Sequence, residues 1–194
     1  KNTTFIRGSI LDKTLVSKAM KGVDIVYHFA AMTDLDTVNR NPATAIEINI
    51  AGTSNILDSC IEEKIQRLIF SSSIYVYSNT GGIYKSTKQA CELLIKDYDK
   101  MYGLNYTILQ LGSVYGPNST KKNLISRLII ESIVNGIMEH YGTGNEVRQY
   151  IYIEDVVNAA IESLSSKYNK QKVILIGIES ISISELMDKI IFLL

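Results

Sequence analysis

Apolar positions along the chain follow two alternating rhythms. Continuous or period-two apolar runs predict strands at Thr4–Ile10, Asp24–Phe29, Arg67–Ser72, Tyr106–Leu111, Arg148–Ile153 and Val173–Ile176. Between them apolar residues recur every three or four positions. That spacing predicts helices over Lys13–Met20, Thr44–Glu63, Tyr84–Met101, Lys122–Asn135, Glu154–Leu164 and from Ile183 to the end of the chain. Such alternation is the signature of βαβ units around a mostly parallel sheet, and the uninterrupted apolar strands suit a sheet covered by helices on both faces. The fold class expected is therefore α/β. The last helix opens with Ser182 and Glu185 at capping-box spacing, which specifies its start. It closes on the wholly apolar stretch Ile190–Leu194, a surface expected to pack against further protein.

Composition narrows the possibilities. The chain has 194 residues, 46% hydrophobic and 21% charged, enough for a sizeable core. Lys plus Arg and Asp plus Glu each number 20, so no long-range basic field exists to hold nucleic acid or an anionic membrane. No apolar run approaches the ~18 residues of a membrane span, and the first residues lack the pattern of a secretory signal. Cys60 and Cys91 lie inside helical patterns without metal-ligand or disulfide spacing, and His28 and His140 have no partner at metal-ligand spacing. Core packing for the cysteines, no metal and a cytoplasmic location are expected. The Asn-x-Ser/Thr triplets at Asn2, Asn105 and Asn118 are given no weight as glycosylation sites.

The informative stretch is Leu68-Ile-Phe-Ser-Ser-Ser-Ile-Tyr-Val-Tyr77, followed by Tyr84-Lys-Ser-Thr-Lys88. A buried strand carries Ser71, Ser72 and Ser73 to its C-terminal edge, where open α/β sheets place ligands. A helix then presents Tyr84 and Lys88 four residues apart, one turn along one face. A free tyrosine, with a pKa near 10, is a poor base at neutral pH. A lysine beside it can stabilise the phenolate, and Ser73 can hydrogen-bond the same substrate oxygen.

In these residues the chain resembles the extended short-chain dehydrogenases/reductases that epimerise, dehydrate or reduce nucleotide sugars. The resemblance also takes in Gly8-Ser-Ile-Leu-Asp12, Val23-Asp-Ile-Val-Tyr-His-Phe-Ala-Ala31, Glu47-Ile-Asn-Ile-Ala-Gly-Thr53, Val114-Tyr-Gly-Pro117, Gly142-Thr-Gly144 and Arg148-Gln-Tyr-Ile-Tyr-Ile-Glu-Asp155, all in order. It implies a Rossmann-like doubly wound parallel sheet, with residues 1–113 a partial dinucleotide-binding domain and 114–194 a mixed region holding a small substrate lobe and returning sheet elements. It makes Tyr84 the acid/base, Lys88 its ribose-binding and pKa-lowering partner, and Ser73 the ligand of the substrate oxygen. NAD is the implied cofactor, lying against Ser9, Ile10, Ala30, Ala31 and Ser71, with Asn49 on a helix behind it. Ser113 and Arg148 are the implied substrate contacts, Arg148 by forking onto the sugar-nucleotide diphosphate. A homodimer through the Thr44–Glu63 and Tyr84–Met101 helices is the partner that relatives suggest.

The chain departs from the family pattern in several places. It opens on what looks like the third strand, so a strand, a Gly-x-x-Gly-x-x-Gly turn and a helix that would hold the pyrophosphate are expected upstream of Lys1. Ser9 stands where an aspartate reading adenine is usual, Gln110 where an arginine is usual and Ser113 where an asparagine is usual. The Ser73–Tyr84 interval is short, and Ile74 and Tyr75 replace the Asp-Glu pair of the dehydratases. The leading reading is an NAD-dependent nucleotide-sugar epimerase acting at C4. The alternatives are an NAD(P)-linked reductase and a catalytically silent dinucleotide-binding scaffold.

Overall fold

The computed structural model describes residues 3–194, so the Asn2 triplet lies outside the described residues. The chain forms two compact units, Lys1–Gln110 with Glu162–Val173, and Leu111–Ile161 with Ile174–Leu194.

In the first unit α1 (Lys13–Met20) starts where Asp12 accepts the Leu15 N–H at 3.0 Å. It is followed by β1 (Ile25–His28), the short helices α2 (Leu35–Arg40) and α3 (Pro42–Ile46), a π-helical turn at Glu47–Ala51, and α4 (Gly52–Glu62). Then come β2 (Arg67–Ser73), a 3₁₀ turn at Ile74–Tyr77, α5 (Gly82–Tyr102) and β3 (Tyr106–Leu111). The four-stranded sheet runs β1-β2-β3-β6, where β6 is Gln171–Leu175, and β1 pairs with β2 in parallel from Ile25↔Arg67 to His28↔Phe70. Ile56 and Leu57 of α4, Leu68 and Phe70 of β2, Ile95 of α5 and Ile108 of β3 meet in one core. That core fixes β2 against α5, the two elements that carry the serines and the Tyr84/Lys88 pair.

Three sequence expectations need correction, and one short helix has no counterpart in the apolar rhythm. Thr4–Ile10 forms no ladder among the described residues; it is exposed chain ending in a turn in which Ser9 O accepts the Asp12 N–H at 3.1 Å. An apolar rhythm makes a strand only where a neighbour supplies hydrogen bonds. Thr44–Glu63 is not one regular helix, because Pro42 starts it early and the π turn interrupts it. Helix α2 has only six residues, too short for periodicity to reveal, and is set by the Asp34 cap on Thr37 N at 3.1 Å. Cover on both faces holds for β2 and nearly all of β3, whereas Ile25 and Tyr27 leave one side of β1 exposed.

In the second unit β4 (Ser113–Tyr115) pairs in parallel with β5 (Val147–Tyr152), which pairs antiparallel with β7 (Ser180–Ser182). Strands β4 and β7 have three residues each and left no readable rhythm. Helix α7 (Ile153–Glu162) follows β5 directly. Leu128 of α6 (Leu124–Asn135) packs on Leu186 and Ile190 of α8 (Ile183–Leu193). The predicted capping box at Ser182 and Glu185 is formed, and Ile191–Leu194 are exposed. Among the described residues no helix is long and apolar enough to cross a membrane.

Leu57 is fully buried, whereas Leu93 is 62% exposed. Leu57→Ala is expected to lower unfolding free energy by roughly 2–5 kcal/mol, and Leu93→Ala by less than about 0.5 kcal/mol, in urea titrations followed by circular dichroism. Equal losses would contradict this placement of the core.

Candidate active site

Strand β2 is buried from Leu68 to Ser73, and its last residue turns the chain by accepting the Tyr75 N–H on Ser73 Oγ at 3.2 Å. The path from the 3₁₀ turn into α5 passes through Gly81 and Gly82 at φ of 97° and 48°. The positive φ at Gly82 calls for glycine there, whereas the Asn39 Oδ1 that a Cβ would meet at 2.8 Å is a side-chain end that can move aside. Helix α5 then buries Tyr84, Lys88 and Glu92, one residue per turn along a single face.

The Ser73 hydroxyl lies beside the Tyr84 phenol and favours its ionised form. The Tyr84 ring packs among Val38, Ala45, Leu35 and Ile83 and meets Tyr75 edge-on at 6.3 Å. The Lys88 ammonium donates to the Ser71 carbonyl at 2.7 Å and lies 4.7 Å from the Phe70 ring centroid and 5.9 Å from that of Tyr84. The sequence-predicted residues Ser71, Ser73, Tyr84 and Lys88 are thus brought together.

The electrostatics differ from the expectation. Burial pushes the Tyr84 phenol up to about 12, opposed by the Ser73 hydrogen bond. Lys88 was expected to lower that value, but burial pushes its own ammonium down to about 8, against the pull of Cys91 and Glu92. Burial is the largest influence on the phenol, and the Lys88 ammonium donates to the Ser71 carbonyl.

A second layer fixes the strand ends. Asn49, in the π turn, accepts the Met32 N–H at 2.7 Å and donates to the Met32 carbonyl and to Thr87 Oγ1, both at 3.0 Å. Thr87 in turn donates to the Tyr84 carbonyl at 2.8 Å. Asn49 thereby holds the loop that follows Ala30 and Ala31, and spends its amide within the protein. Thr53 gives its only proton to Asn49 O at 2.6 Å, so His28 Nε2–H must be the donor in the 2.9 Å contact with Thr53. Burial holds His28 neutral, with its pKa down to about 4. Ser71 Oγ donates to His28 O at 3.3 Å.

Ser9 Oγ accepts the Leu11 N–H at 3.2 Å, and the Ile10 carbonyl accepts from Asn55 at 3.0 Å. The Ile10 side chain lies where a Cβ on Gly52 would come within 2.5 Å of it, so its close approach to α4 depends on that glycine. Ser113 and Arg148 belong to the second unit. Ser113 is in register with Tyr150, two residues beyond Arg148 on β5, so all three share one face of the small sheet with Tyr115 and Tyr152.

Sequence reasoning did not anticipate a buried cluster behind the serines. Glu92 Oε1 accepts from Ser72 Oγ at 2.6 Å and from Gln110 Nε2 at 2.8 Å, while Oε2 pairs with Lys172. The continuation of the Tyr84/Lys88 spacing to Glu92 was a readable signal; nothing in the sequence pointed to Lys172. Among the described residues no group of three or more His, Cys, Asp or Glu side chains could hold a metal ion.

A sheet whose buried strand end presents serines to a Tyr-x-x-x-Lys helix is the framework of a dinucleotide-dependent enzyme. The chain belongs to the NAD dependent epimerase/dehydratase family, whose profile matches residues 1–177. It is 31% identical over 177 residues to the trifunctional UDP-glucose 4,6-dehydratase/UDP-4-keto-6-deoxy-D-glucose 3,5-epimerase/UDP-4-keto-L-rhamnose-reductase of Arabidopsis thaliana, covering 81% of this chain and 26% of that protein. A UDP-N-acetylglucosamine 4-epimerase from Methanobrevibacter ruminantium in complex with UDP-N-acetylmuramic acid superposes with a TM-score of 0.85 at 28% identity, over 95% of this chain and 64% of that one. A UDP-glucuronic acid 4-epimerase variant from Bacillus cereus, bound to a fluorinated UDP-sugar and NAD, gives 0.87 at 26% identity, over 96% and 64%. The chain therefore spans about a quarter of the Arabidopsis protein and under two thirds of either structure.

The buried Lys88 makes stability depend on pH. Below about 8 the folded state carries the full cost of the buried charge, and between about 8 and the unfolded value of 10.5 that cost is relieved. Over that window the parent is expected to gain on the order of 3 kcal/mol relative to Lys88→Met, measured by urea unfolding at stepped pH. A constant difference would mean that Lys88 is not held charged against burial.

Proposed function

We propose that Ser73, Tyr84 and Lys88 move a proton to and from a hydroxyl of a nucleotide-linked sugar in a C4-epimerase-like cycle that returns the hydride it removes. The observation that carries this reading is the Ser73 hydroxyl set beside the Tyr84 phenol at a buried strand end, with Lys88 anchored one turn away. Family membership makes NAD the cofactor to test against the site. The donor set fits it: Lys88 has three N–H donors, of which Ser71 O takes one, and the small side chains of Ala30 and Ala31 leave the backbone after β1 approachable. Ser9, Ile10 and Ser71 complete the set on the cofactor side, and Asn49 supports it through Met32.

When bound, NAD supplies the hydride acceptor and a positive charge near the phenol. With positive charge beside it the Tyr84 phenol would first release its proton to solvent; the phenolate would then take the proton of the sugar hydroxyl as the hydride leaves the carbon and return it when the hydride comes back. Ser73 holds the same hydroxyl oxygen, which fixes it on the line between Tyr84 and the carbon. Lys88 keeps positive charge beside the phenol and offers its remaining protons to the ribose. Arg148 and Ser113 would hold the nucleotide-sugar diphosphate and sugar, a task that suits a guanidinium fork.

Elimination of water needs a carboxylate base and an acid beside the sugar. Here Ser73 is followed by Ile74 and Tyr75, Asp34 is committed to capping α2, and Glu92 is engaged with Ser72, Gln110 and Lys172. This disposition favours redox without elimination.

Tyr84→Phe in the intact protein is expected to lower turnover of UDP-glucose with NAD by roughly 10²- to 10⁴-fold while leaving the circular dichroism unchanged. Activity within a factor of about three of the parent would remove Tyr84 from the mechanism. Mass spectrometry and NMR of the product are expected to show unchanged mass and altered C4 configuration. Loss of water would overturn the epimerase reading.

A further inference from the structure

Three consecutive serines at the end of β2 are each held by a successive turn of α5. Ser73 lies beside Tyr84 and favours its phenolate, the Ser71 carbonyl accepts from Lys88 at 2.7 Å, and Ser72 Oγ donates to Glu92 Oε1 at 2.6 Å. The first two contacts involve residues assigned to proton transfer; the third does not. Glu92 is a carboxylate only 6% exposed, and its charge is met by Lys172 of β6, itself 31% exposed on an open groove of about 300 Å³. Gln110 of β3 donates to Glu92 with its amide and accepts from the Tyr77 hydroxyl at 2.9 Å with its carbonyl oxygen. Tyr77 closes the 3₁₀ turn whose first residues are fixed by Ser73.

We propose that the Glu92–Lys172 ion pair is a positioning device that sets Ser73 against Tyr84, acting through Ser72 on one side and through Gln110 and Tyr77 on the other. A buried carboxylate accepts several hydrogen bonds with fixed geometry only while it stays ionised, and it stays ionised cheaply only beside a cation. Lys172 is that cation, and it comes from the returning strand rather than from α5 or β2. The serine strand, the helix, β3 and the 3₁₀ turn are therefore locked into one register by a residue far away in sequence. Without Lys172 the buried carboxylate loses the cation that meets its charge and turns toward water, Ser72 and Gln110 lose their acceptor, and Ser73 is free to shift. The inference rests on Ser73 and Tyr84 being the proton-transfer pair, but it concerns their geometry and can be tested apart from turnover.

The intact protein would be labelled with ¹³Cζ-tyrosine, and the Tyr84 resonance, assigned with Tyr84→Phe, would be followed in Lys172→Met, Lys172→Arg, Ser72→Ala and, as a control on the same groove, Lys96→Met. The Tyr84 resonance is expected to move in Lys172→Met and Ser72→Ala, and to stay at its parent position in Lys172→Arg and Lys96→Met. With UDP-glucose and NAD, kcat in the first two variants is expected to fall about 10- to 100-fold with KM within a factor of about three, and Lys172→Arg to restore it. Ser72→Ala leaves the ion pair intact, so it decides the matter if Lys172→Met does not fold. A Tyr84 resonance unmoved in Ser72→Ala, or a lower melting temperature with unchanged resonance and kcat, would overturn the proposal. A shifted resonance together with an active Tyr84→Phe would instead sink the catalytic reading and leave the positioning role standing.

Discussion

The Lys88 ammonium donating into the Ser71 carbonyl is the contact on which the rest of this site depends. A carbonyl in a buried strand and an amine buried by helix packing both lack water. Each meets the other's need, and the bond draws α5 to the strand end at a fixed height. Once that height is set, Tyr84 one turn earlier falls on Ser73, and Glu92 one turn later falls on Ser72. The cost is visible in the lysine's acidity: burial takes it to about 8, so the amine retains its proton at neutral pH with little to spare.

The same burial reshapes the chemistry of Tyr84. Spacing alone suggested a phenol acidified by its lysine neighbour, but spacing carries no information about dielectric. In the folded protein the ring is enclosed by Val38, Ala45, Leu35 and Ile83, and burial is the largest influence on the phenol. A phenol near 12 keeps its proton, although the Ser73 hydroxyl beside it favours the phenolate. The charge needed to turn the pair into a base must arrive with the ligands.

Much of this was legible in the residues themselves. The buried run Leu68–Ser73 and the Tyr84/Lys88 spacing located the strand edge and the helix face because both depend on local periodicity, and the Ser182/Glu185 box marked its helix start for the same reason. What stayed hidden depends on partners distant in sequence. Thr4–Ile10 has a strand's rhythm but no neighbouring ladder, and Lys172 looks like any surface lysine until β6 lies beside β3 and reaches Glu92. The π turn was also invisible, since Thr44–Glu63 scores as continuous helix whether or not one hydrogen bond is displaced. Ser113 and Arg148 were placed by resemblance, and the small sheet gives them a common face.

That π turn has a geometric consequence. An α-helix advances about 100° per residue, so one extra residue in a turn rotates everything after it by about that angle relative to everything before it. Upstream, Ala45 faces the packing around Tyr84; downstream, Ile56 and Leu57 face the sheet core; between them Asn49 points at Met32 and Thr87. The inserted residue acts as a phase shifter that lets one length of helix address two differently oriented surfaces. Shortening the turn by a single residue would return the helix to a straight count and swing Asn49 away from the loop it holds, without altering any residue that touches the reacting groups.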